Sequence, residues 1–135
     1  MAPYVVSGSL GASAVPSISP GVSYQVWSAS TVVAGSGLAA ASQQVALTLS
    51  QGVSNGIGAS GFFSAAPGAF EIDLQVSDAD ADSQYQTIQN GNITTVDSVN
   101  NTWHIDAPYV CAKFARLLLR SLTNVVTVTA DIQQR

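Results

Sequence analysis

Three carboxylates at alternate positions, Asp78-x-Asp80-x-Asp82, are the sharpest chemical signal in this 135-residue chain. Oxygen ligands spaced in this way can converge on a hard cation such as calcium. An EF-hand loop also needs glycine at its sixth position and glutamate at its twelfth, and counted from Asp78 those places hold Ser83 and Gln89. The competing reading is a solvated acidic loop that keeps the end of a sheet soluble. Calcium at Asp78, Asp80 and Asp82 is therefore a candidate, and no other cofactor is expected. His104 is the only histidine and Cys111 the only cysteine. With Asp106 and a serine, His104 supplies the residue types of a nucleophilic triad, but no G-x-S-x-G turn accompanies it, and a Cys111–His104 pair has no local signature. One histidine and one cysteine are too few soft ligands for a structural zinc. No glycine-rich loop joins a strand to a helix, so nucleotide binding has no support. The expectation is a protein that is not an enzyme, with Cys111 a small buried hydrophobe.

The aromatic residues Trp27, Trp103, Tyr24, Tyr85 and Tyr109 could stack on sugar rings if they surfaced together, and otherwise serve as core or interface anchors. Lys113, Arg116 and Arg120 lie on the most apolar stretch of the chain. They either pair across strands with carboxylates such as Glu71 and Asp73 or reach over a subunit boundary. Asn92-Ile93-Thr94 and Asn100-Asn101-Thr102 match the glycosylation pattern. The start Met1-Ala2-Pro3-Tyr4 lacks the basic and apolar regions of a secretory signal, so neither triplet is expected to be used.

Charge is distributed unevenly. No Asp, Glu, Lys, Arg or His occurs before Glu71, and the formal net charge is −4. Exposed surfaces normally carry charges of both signs, so an uncharged half implies surface meant to be covered. The four cations, Lys113, Arg116, Arg120 and Arg135, cannot make the basic stripe that nucleic acid requires. No stretch has the ~20 consecutive apolar residues of a spanning helix, so no membrane partner is expected. The expected partners are copies of this chain and a larger assembly.

Short alternating runs separated by turn residues position these groups. Residues 24–27 and 45–49 read as half-buried strands, the latter as an uncharged edge open to pairing. Residues 38–44 have helical composition. In residues 70–76, Phe70, Ile72, Leu74 and Val76 share one face, with Glu71, Asp73, Gln75 and Ser77 on a wet back. Strands follow at 85–88, 93–96 and 103–105, with tight turns at Asn90-Gly91 and Asn100-Asn101. Residues 111–122 fit a buried strand or a helix, and the β-branched alternation of 125–132 favours the strand, with 121–124 turning the chain between two paired strands. The pattern predicts an all-β fold, an antiparallel β-sandwich or jelly roll. Residues 1–22 form an N-terminal strand or arm and 23–135 a single domain. The interface candidates are the large apolar residues of the uncharged half, Tyr24, Trp27, Val45, Leu47, Leu49, Phe62 and Phe63.

Two runs resemble a known group. Ala66-Pro67-Gly68-Ala69-Phe70-Glu71-Ile72-Asp73-Leu74-Gln75-Val76-Ser77-Asp78-Ala79-Asp80-Ala81-Asp82, together with the closing stretch from Ala112-Lys113-Phe114-Ala115-Arg116 to Thr127-Val128-Thr129-Ala130, is similar to small β-sandwich structural proteins of tailed bacteriophages. Those proteins decorate or cement capsids. The resemblance implies a homo-oligomeric virion component that binds across capsid subunits without catalysis. The same half also resembles discoidin-type jelly rolls. That likeness implies the alternative, a carbohydrate-binding module on a tail fibre or virion surface, with calcium at the aspartate loop and a glycan as partner.

Overall fold

The computed structural model describes residues 4–6, 15–32, 34–48 and 56–135. Its strands are β1 (Tyr4–Val6), β2 (Ser17–Ile18), β3 (Ser23–Thr31), β4 (Ala39–Ala41), β5 (Val45–Leu47), β6 (Ile57–Phe63), β7 (Glu71–Ser77), β8 (Gln86–Ile93), β9 (Thr102–Ala107), β10 (Phe114–Arg120) and β11 (Thr127–Gln134). Alternation explains most of them. In β9, Trp103, Ile105 and Ala107 are buried while Thr102, His104 and Asp106 are exposed, the period of a strand with one covered face.

One sheet has four strands in the order β3-β11-β6-β9. The other is built on β10, which pairs with β7 along one side, and β7 in turn pairs with β8. Along its other side β10 meets β4 at one end and β5 at the other, and β1 and β2 add to these in parallel. β4 and β5 are thus one strand interrupted at Ser42-Gln43-Gln44. Ser42 bridges the gap: its amide donates to the Leu117 carbonyl at 2.8 Å, and its Oγ accepts from the Leu117 amide at 2.9 Å.

The pairings nest. Counting outward from the β7–β8 connection, β7 meets β8, β6 meets β9, β4 and β5 meet β10, and β3 meets β11. A long antiparallel ribbon bent at residues 78–85 and wound around its own apolar side gives this order, which is a jelly roll. Trp27, Ile57, Phe63, Val128 and Ile132 from one sheet pack on Ile72, Leu74, Leu117 and Leu119 from the other. The Phe63 and Phe70 rings meet edge to face at 5.1 Å. Among the described residues no helix is long and apolar enough to cross a membrane.

Several local expectations are corrected. Asn90-Gly91 is no hairpin turn: it lies inside β8, where Asn90 takes φ 61° and a bulge slips the pairing with β7 between Asp73 and Gln75. Residues 121–124 do not join paired strands, because β10 and β11 belong to different sheets. Residues 38–44 hold β4 rather than a helix. β5 is no free edge, being flanked by β10 and β2, and Leu49 lies outside the described residues. The strand reading of residues 111–122 agrees with β10. The described parts of residues 1–22 supply β1 and β2 to the larger sheet.

Candidate functional site: two outer sheet faces

The polar back of β7 is covered rather than wet: Asp73, Gln75 and Ser77 are all buried. Register explains what covers them. Arg116 on β10 stands opposite Gln75, and Arg120 opposite Glu71. The Arg116 side chain is 3% exposed, and a cation so placed needs compensation from several sides. Its Nη1 donates to Asp82 Oδ1 at 2.6 Å, its Nε donates to Gln75 Oε1 at 2.9 Å, and the guanidinium lies 4.1 Å from the centre of the Tyr85 ring. Asp82 opens a short 3-10 turn, Asp82–Gln84, that brings Tyr85 over the sheet. Asp80 ties the same loop down, accepting at 3.1 Å from the Tyr85 hydroxyl and at 3.1 Å from Gln44 Nε2. Burial, followed by the Asp80 charge and hydrogen bond, pushes the Tyr85 phenol well above its ordinary range.

Further along this face Arg120 lies 3.3 Å from Glu71 Oε1 and, through Nε, 3.1 Å from Asp73 Oδ2. The second contact is an ion pair without the alignment of a hydrogen bond. Asn92 Nδ2 also donates to Asp73. Arg120 therefore pairs across strands with carboxylates of β7, whereas Arg116 hydrogen-bonds across strands to Gln75 and takes its carboxylate, Asp82, from the loop.

The aspartate triplet is divided by these contacts. Asp80 turns to Tyr85 and Gln44, Asp82 to Arg116, and among the described residues no group of three metal-ligating side chains converges. Asp80 and Asp82 are thus turned to separate partners within the chain.

The outer face of the four-stranded sheet differs. Cross-strand register sets Gln25, Asp131, Ser60 and His104 in one row, and Thr129, Phe62 and Thr102 in the next. Ser60, Thr102 and Thr129 are small, whereas Phe62, Gln25 and Asp131 stand taller, leaving a shallow cleft of about 370 Å³. Two pairing shifts in β3, one beside Ala29 at φ 46°, curl the edge of this sheet. The Ala29 amide donates to Thr129 Oγ1 at 3.0 Å, fixing the cleft end of β3.

His104 lies beside Ser60 on this face, yet no hydrogen bond joins them, and Asp106 is held by Arg135 at 2.8 Å. The elements of a triad are near one another without its connections. Cys111 is exposed in the loop between β9 and β10, not buried, because the chain there turns Val110 and Ala112 inward and Cys111 between them outward.

Of the interface candidates, Trp27, Val45 and Phe63 belong to the chain's own core and present no surface to a partner. Leu47 is half-buried. Tyr24 and Phe62 are exposed. Of the aromatic residues, Trp27, Trp103 and Tyr85 are buried and Tyr109 stands on a loop, so they do not surface together. Two aromatic residues line the cleft, Phe62, which is exposed, and Trp103, which is buried beneath it. Sequence reasoning missed the cleft because its residues come from four strands distant in sequence. Alternation of Ser60 with Phe62, and of Thr129 with Asp131, was the available signal. Comparison with known protein families, curated proteins and solved structures finds no match.

Proposed function

We propose that this chain is a structural subunit of a bacteriophage particle, a decoration or cement protein that packs against copies of itself and against capsid subunits. The observation that carries this reading is an uncharged exposed rim. β2 and β3 are outermost strands of the two sheets, joined by the 19–22 turn, and no ionisable charge occurs anywhere along them. Val22 and Tyr24 on this rim are 43% and 38% exposed. A free monomer normally protects such an edge with lysines. Here the bulges in β3 interrupt backbone pairing, so contact with a neighbour runs through side-chain packing rather than a continued sheet. Jelly rolls serve in capsids and in lectins alike, so the fold supports this reading without deciding it. Apolar burial of ~25 cal/mol per Å², repeated around a shell, makes individually modest contacts collectively firm.

The test is the mass of the purified chain by light scattering, with co-sedimentation on expanded phage capsids. An oligomer or capsid-bound species is expected, and Val22→Lys with Tyr24→Lys should release it as a folded monomer. A wild-type chain that stays monomeric and ignores shells would sink the reading.

A further inference from the structure

We propose that the cleft on the outer face of the four-stranded sheet binds a neutral saccharide, with the Phe62 ring as the surface on which one sugar ring stacks. Phe62 is 46% exposed, while its neighbour Phe63 fills the core, so the strand presents a phenyl group outward that the fold itself does not use. Around it stand hydroxyl, amide and carboxylate groups, from Ser60, Thr102, Thr129, Gln25 and Asp131. A pyranose is amphipathic in the matching sense: its C–H face is apolar and its rim carries hydroxyls that both donate and accept. An aromatic ring bordered by fixed polar groups satisfies both parts at once.

Charge narrows the ligand class. Asp131 is the single ionisable group lining the cleft, and no cation lines it. The nearby Arg135 is engaged by Asp106 at 2.8 Å. His104 stands beside Ser60 at the end of the same row, and no Lys or Arg lines the cleft, so a phosphate, sulfate or nucleic acid would find no guanidinium or ammonium there and would meet repulsion from Asp131. A large apolar peptide would find one ring among hydroxyls. The cleft volume of about 370 Å³ lies near the lower end of small-ligand sites, enough for one or two sugar rings. The cleft meets the β2–β3 rim at Gln25 of β3, whereas Ser60, Phe62 and Thr102 lie on β6 and β9, so Phe62→Ala tests the inference without altering the rim residues Val22 and Tyr24. It also needs no calcium, since the aspartate loop belongs to the other sheet's face.

The experiment is a titration of the full chain with glucose, galactose, N-acetylglucosamine and their disaccharides, followed through backbone amide NMR signals, with a sugar phosphate as the anionic arm. At least one neutral sugar should saturate, with shifts centred on Gln25, Ser60, Phe62 and Thr102. Phe62→Ala should weaken binding about tenfold or more, ~1.4 kcal/mol, with the amide spectrum otherwise preserved. Ser60→Gln, which fills the cleft from a partly exposed position, should abolish it. The inference is overturned if no neutral sugar saturates at tens of millimolar, if the shifts map elsewhere, if the sugar phosphate binds as well, or if both variants bind like the parent.

Discussion

Arg116 carries an asymmetry between the two ends of its ion pair. The guanidinium side is 3% exposed and the Asp82 side 54%, so the partners have unequal access to water once separated. Asp82→Ala takes a carboxylate partner from a buried guanidinium while its hydrogen bond to Gln75 and its contact with the Tyr85 ring remain, and a stability loss of roughly 2–4 kcal/mol is expected. Arg116→Met leaves a carboxylate that can turn to solvent and an apolar side chain in an enclosed place, so its cost should be smaller. Urea denaturation of the two variants checks the order. Tyr85 adds a pH dependence whose sign follows from proton release. Its folded-state pKa is raised above the phenol's ordinary 10, so its contribution is complete below pH 10 and is lost as pH rises beyond it, where the unfolded chain ionises first. Melting temperature should therefore fall above about pH 10, and Tyr85→Phe should flatten that slope at a cost of about 1 kcal/mol for the lost hydrogen bond to Asp80.

Strands were legible wherever one face is apolar and the other polar, as in β9 and β11, because the two-residue period survives any tertiary arrangement. It failed where the back of a strand is also covered. Asp73 and Gln75 look solvated in sequence, and only the register of β7 against β10 places arginines over them. Turns were misread for a related reason. Asn90-Gly91 suits a hairpin locally, but the close approach that Gly91 permits is to Ile88 of its own strand β8 and to the Leu74 carbonyl of β7. Gly61 shows the same constraint in the core. A Cβ there would stand 2.7 Å from Trp103 Cζ2 and 2.8 Å from Ala130 Cβ, and would collide with the Thr129 carbonyl. The obstruction includes backbone of the paired strand β11, which cannot withdraw without breaking the ladder. Gly61→Ala should cost about 2 kcal/mol or more, read from the urea midpoint at unchanged slope.

At the scale of the whole molecule, the charged residues form a system of their own. Arg116, Arg120 and Arg135 are each paired with carboxylates of the same chain, and most of these pairs lie on one sheet face. The asymmetry between halves was plain in the sequence, but its meaning divides. Part of the uncharged half is core, where Trp27, Val45 and Phe63 need no partner, and part is the exposed rim at Val22 and Tyr24. Composition cannot separate these, because burial depends on which strands become neighbours. The division sets the expected response of assembly to salt. An interface made by the rim buries no ion pair, so screening removes nothing from it, whereas contacts between exposed charges weaken once the Debye length falls to ~3 Å near 1 M salt. Sulfate should strengthen the association by favouring burial of apolar surface. Light scattering across sodium chloride and ammonium sulfate series is the measurement: constant mass in the first and rising mass in the second is the expected pattern. Dissociation by sodium chloride would instead place the contact on Asp78, Lys113 and other exposed charges, away from the rim.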